Sequence, residues 1–253
     1  MKTTKILTSA IVLSTLGLAA APAVHAADAP HTESYKSTGK IGFVQNTDPT
    51  DPTGPTDPTN PIKPVDPVNP GTAGPLSIDY VSNFDFGSSN KVSGDDMTYY
   101  AAPVKATDKD GKDVTVANYL QVTDKRGTNI GWKLSVKQEK QFNDGKADLD
   151  GAKLQMATQT LNSKNMDLNN PSNIPAIDNA TMAMTPGSDV KVLTAGKDQG
   201  MGTWTDAFGV YDADAAKDTA SKAVSLEVPG NSAKNTGSSY TTDLTWTLTD
   251  AGL

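Results

Sequence analysis

From residue 75 to residue 253 the chain is written in short runs of alternating apolar and polar side chains. These are cut by turn-forming pairs such as Asp-Gly, Asn-Pro, Pro-Gly and Gly-Ser. A period of two sends successive side chains to opposite faces, so such runs fold as half-buried β-strands rather than helices. The pattern predicts strands at 76–86, 114–122, 130–137, 152–161, 189–194, 202–208, 222–228 and 240–249. Only 212–220 has a helical look, and it is brief, so the recurring helices of a βαβ architecture are missing. The expected fold is all-β: a β-sandwich or open barrel of short, mostly antiparallel strands.

Two of these runs are the most regular. Ile130, Trp132, Leu134 and Val136 alternate with Gly131, Lys133, Ser135 and Lys137. Tyr240, Leu244, Trp246 and Leu248 alternate with Thr241, Asp243, Thr245, Thr247 and Thr249. The alternation puts each tryptophan and the leucine after it on one side of a sheet. Burial of such side chains stabilises by about 1.5–3 kcal/mol each. That matters here because the chain has no cysteine, and hence no disulfide to support its core.

The first 75 residues read differently. Lys2 and Lys5, an uncharged apolar run over 6–20 and small residues at Val24 and Ala26 predict a signal peptide over 1–26, cleaved after Ala26. Its apolar run is too short for a span of about 20 residues, and no later segment approaches that length. The polar stretch 27–46 carries one predicted strand, in which Tyr35, Ile41 and Phe43 share a parity with Ser37 and Gly39. A lone strand needs a partner, in its own domain or in a neighbour. Over 47–75, proline recurs at 49, 52, 55, 58, 61, 64, 67 and 70. This period matches the three residues per turn of a polyproline II helix and predicts an extended spacer or external loop, roughly 68 Å long if fully stretched. The remaining block, 76–253, is one β domain.

Composition removes several functions. Loss of the leader leaves a net charge of −9 and a single arginine, Arg126, so the clustered basic residues that nucleic acids or anionic membranes require are missing. His25 goes with the leader, His31 lies in the polar N-terminal stretch, and no histidine follows. Thiol nucleophiles, Ser-His-Asp triads and ordinary zinc sites are thereby unavailable to the folded region. Paired carboxylates remain for glycoside hydrolysis, but that region holds only Glu139 and Glu227, and its aspartates gather in turns. The Asp-rich stretches 108–113, 144–151 and 212–214 resemble calcium loops. In an EF-hand frame, however, position twelve falls on Tyr119 or Gln159, so ordinary turns are expected. The reading is a non-enzyme without metal or cofactor.

At the two regular strands the chain resembles the WxL family of Gram-positive surface proteins. Trp132-Lys133-Leu134 matches the proximal motif, and 240–248, with Tyr240, Leu244, Trp246 and Leu248 in Y-x-x-x-L-x-W-x-L spacing, matches the distal one. Similar too are the opening 76–87, the Asp-Pro-Thr repeats and the lead-in 43–47. The family's distal motif usually closes with a proline where this chain has Gly252. The resemblance implies a non-catalytic, secreted protein held non-covalently on peptidoglycan at the extracellular wall surface, working beside other WxL-type surface proteins. An adhesin or surface-complex subunit whose main partner is a protein is the alternative. No Leu-Pro-x-Thr-Gly signal is present to anchor the chain covalently. The residues leave open whether Trp132 and Trp246 touch ligand or only the core. They also leave open whether Trp204 or the pair Tyr99-Tyr100 supplies exposed aromatics instead.

Overall fold

The structure is a computed structural model that describes residues 32–65 and 69–251; the expected leader lies outside them. The chain divides into two units, Met1–Gly42 and Phe43–Leu253. In the first, residues 32–42 form no strand or helix, and Tyr35 and Ile41 stand 95% and 79% exposed. The strand expected through residue 44 is therefore not formed. Without a neighbouring strand to bond its amides, an extended segment has nothing to hold it in a ladder.

The second unit is all-β, as its alternation predicts. Its strands are β1 (Ile62–Pro64), β2 (Leu76–Val81), β3 (Met97–Tyr100), β4 (Val104–Asp108), β5 (Asp113–Val116), β6 (Tyr119–Asp124), β7 (Trp132–Gln138) and β8 (Lys153–Ala157). They continue as β9 (Gln159–Ser163), β10 (Ala176–Ile177), β11 (Thr181–Ala183), β12 (Asp189–Ala195), β13 (Gly202–Phe208), β14 (Val224–Val228) and β15 (Leu244–Asp250). One helical turn, α1 (Ala220–Ala223), precedes β14, while 212–219 forms turns instead of the helix expected there. All pairings are antiparallel, in sheets ordered β1-β4-β5, β10-β12-β7-β15, β11-β8-β14-β3 and β2-β6-β13-β9.

Two predicted strands are broken, each for a local reason. The run 114–122 splits at Ala117-Asn118, where the Asn118 side chain donates to Ala102 O at 3.0 Å. The run 152–161 splits at Thr158, whose φ of +58° is incompatible with a continuous strand. The Asp-rich stretch 108–113 is the β4–β5 turn: Asp108 Oδ1 accepts the amides of Asp110 and Lys112, each at 2.9 Å.

The three four-stranded sheets share one core cluster, with Leu120, Trp132, Leu134, Leu154, Met156, Leu193, Trp204 and Phe208 fully enclosed. Every residue of β6 is buried, because both faces of its sheet are covered. Leu120 and Val122 face the core, and Gln121 and Thr123 face the proline-rich segment.

That segment is a strap, not a spacer. Thr53, Gly54, Pro55, Pro58 and Ile62 are buried. The amide and hydroxyl of Thr53 donate to Gln121 Oε1 at 2.9 and 3.1 Å, and Gln121 Nε2 donates to Asp51 O at 3.1 Å. Pro55 O accepts from Thr205 Oγ1 and Asn162 Nδ2, each at 2.9 Å. The strap turns at 56–60, with Gly54 N donating to Asn60 O, and returns to pair β1 with β4. A three-residue proline period sets local conformation only. The polar face of β6 and β13 supplies the donors that dock the proline carbonyls, which proline cannot use among themselves.

Candidate functional site

The two tryptophan strands are neighbours. β7 and β15 pair over their whole length, with Leu134 opposite Leu248, Val136 opposite Trp246 and Trp132 opposite Asp250. Residues more than a hundred positions apart in sequence thus form one ladder. Arg126 closes its end: its guanidinium donates to Asp124 Oδ1 and Oδ2 at 2.9 and 2.7 Å, to Gly131 O at 2.8 Å, and to Asp250. The Asp124 partnership raises the arginine's already high pKa, so this clamp stays charged.

The six predicted motif residues divide by burial. Trp132 and Leu134 are sealed in the core, and the indole of Trp132 donates to Gly200 O at 2.9 Å. Gly131 (φ +79°) and Gly200 (φ +72°) make its slot. A Cβ on Gly131 would meet Ala195 O at 2.2 Å, and one on Gly200 would meet the indole nitrogen at 2.5 Å. Trp204 is equally enclosed and donates to Met201 O at 3.0 Å. By contrast Tyr240, Leu244, Trp246 and Leu248 are only half-buried at the margin of the core.

Two adjoining cavities open at that margin, separated by Phe84, Phe86 and Phe142. The first, about 410 Å³, lies between β2 and β15 and is lined by Ile78, Val81, Leu244 and Trp246. The second, about 510 Å³, is a groove lined by Phe86, Tyr99, Tyr240, Asn90, Asn235 and Ser239. Tyr99, from β3, is half-buried there, whereas Tyr100 points to the other side of the strand and is exposed. Tyr240 is oriented by Asn235, whose amide donates to its hydroxyl at 2.9 Å; the Asn235 side chain in turn donates to Asp144 Oδ2 at 2.9 Å. That bond, with backbone amides, holds the Asp144 carboxyl down at about 2, so it is ionised at neutral pH. Apolar ring faces beside amides and hydroxyls are what a sugar ring, apolar on its faces and polar at its rim, can use.

Among the described residues no group of three or more acidic or histidine side chains is placed to hold a metal ion. A displaced carboxyl lies elsewhere. Asp206 points from β13 into the core, and burial pushes its carboxyl up to about 7. Gln159 Nε2 donates to its Oδ2 at 2.7 Å, but Oδ1 meets no donor among the described residues. Neither of the two cavities described above is lined by it.

A family model described as a WxL domain, surface cell wall-binding, matches residues 30–251. The chain belongs to the WxL family. No curated protein and no solved structure matches it. In WxL terms, the proximal motif is the buried strand β7 and the distal motif is β15 at the edge of the same sheet. The match takes in the strap and the N-terminal stretch as well as the β domain. Sequence reasoning missed β1, β3, β4, β10 and β11, and with β3 it missed the element that carries Tyr99 into the groove. The signal for β3 was weak: four residues, Met97 to Tyr100, with no clean alternation.

Proposed function

We propose that this WxL protein is a non-catalytic, exported surface protein that attaches non-covalently to Gram-positive peptidoglycan through the groove between Tyr99 and Tyr240. One observation carries the reading. Of the aromatic residues that the sequence left in contention, Trp132 and Trp204 are locked in the core, Trp246 lines the neighbouring cavity and Tyr100 points away from the groove, while Tyr99, together with the motif residue Tyr240, lines the groove half-buried among amides and hydroxyls. The two motifs therefore act through the fold: their pairing positions β15, and Tyr240 just before it, at the groove. Hydrolysis is not part of the reading, because the groove presents Asn and Ser side chains and no pair of carboxylates.

Binding isotherms on purified peptidoglycan sacculi test this. Tyr99→Ala is expected to weaken binding about tenfold, the loss of roughly 1–2 kcal/mol of ring contact, measured at a temperature where the variant, whose half-buried ring packs on the core, is still fully folded. Wild-type affinity in that variant would refute the groove. A second reading, a surface-complex subunit whose main partner is protein, is favoured by the exposed apolar residues of the N-terminal stretch.

A further inference from the structure

β15 stands at the edge of its sheet, with β7 on one side and no described strand on the other. A strand edge presents a row of backbone donors and acceptors that templates the addition of another strand. Here the edge is also apolar. Leu244, Trp246 and Leu248 are only half-buried, and the 410 Å³ cavity runs beside them toward Ile78 and Val81 of β2. The edge lacks the usual protections: from residue 244 to 249 it has no lysine, proline or glycine.

The same chain carries a segment of the complementary kind. Residues 35–44 contain no proline, and their apolar side chains at Tyr35, Ile41 and Phe43 share one parity. Lys36 and Lys40 occupy the other parity, suited to the exposed face of β15, where Asp243 sits among threonines. The family match begins at residue 30, so this segment belongs to the WxL unit and is not an unrelated tail. Phe43 and Val44, in the same compact unit as β15, stand 88% and 94% exposed, so the β15 of their own copy does not cover them.

We infer that residues 35–44 of one copy add as a strand to the open edge of β15 in a second copy. Tyr35, Ile41 and Phe43 then lie on the side of Leu244, Trp246 and Leu248, and the backbone of β15 gains a second ladder. Donor segment and acceptor edge are different surfaces, so the contact is head-to-tail and can propagate from copy to copy or close into a ring.

Sedimentation velocity of the mature chain over rising concentration tests this. Wild type is expected to form dimers and larger species. The full-length double variant Ile41→Asp/Phe43→Asp is expected to sediment as monomer, to melt at the wild-type temperature when both are dilute enough for wild type to be monomeric, and to bind a synthetic peptide of residues 33–45 that disperses the wild-type oligomers. Three results overturn the inference. One is a wild type that stays monomeric. Another is oligomers untouched by the double variant. The third is a fall in the variant's melting temperature at concentrations where wild type is monomeric, which would mean the segment pairs within its own chain.

Discussion

At Gly131 the backbone adopts φ +79° and passes so close to Ala195 that no side chain fits. This residue, next to the proximal tryptophan, shows how strictly the motif's slot is built. Gly131→Ala forces either a backbone shift or the loss of the Trp132 contact. It is expected to lower stability by about 3 kcal/mol, read by urea unfolding. Asp206 is the opposite case, a residue whose removal helps. Its carboxyl is ordinarily half-ionised at 3.8 and is raised by burial to about 7 in the fold. Well below pH 3.8 it is protonated folded and unfolded alike, so its contribution is complete there. As pH rises toward 7 the unfolded chain ionises first and stability falls, by about 4 kcal/mol in total, with no further loss above that. Asp206→Asn is expected to differ least from wild type near pH 3 and to melt at a progressively higher temperature than wild type as pH rises to 8. A constant difference across that range would show that Asp206 does not titrate with folding.

The strap is held at the level of the element by a few polar contacts to one sheet face. Gln121 is its central peg, bonded to Thr53, to Asp51 O and, at 3.0 Å, to Asp79. Gln121→Leu keeps the volume and removes every bond. It is expected to cost about 2 kcal/mol and to open the 51–62 stretch to proteolysis before the rest of the domain. Strands β7 and β15 were legible in the sequence because they alternate cleanly and one face of each meets the core. The strap was not legible, because a proline period describes the chain's own shape and says nothing of the polar face it docks on. That face carries no apolar signal of its own: Gln121, Thr123 and Thr205 are polar, yet all three are buried. Pairing of β7 with β15 was expected only as two strands of one assembly. Their direct adjacency follows from the Leu134–Leu248 register, which no local pattern encodes.

For the whole molecule, WxL membership ties the chain to wall binding at the cell surface, and the geometry ties the motifs to packing. A core of three sheets without a disulfide rests on Trp132, Trp204 and their neighbours, with Tyr99, Tyr240 and Trp246 half-buried at its margin. No helix of the described residues is long and apolar enough to cross a membrane. The most direct measurement mixes the purified mature protein with insoluble cell walls from which all protein has been stripped, and follows the pellet. The account predicts that the protein sediments with these walls as well as with unstripped ones, and that mild denaturant releases it. Protein that stays in the supernatant with stripped walls, and pellets only when wall proteins are present, would contradict it.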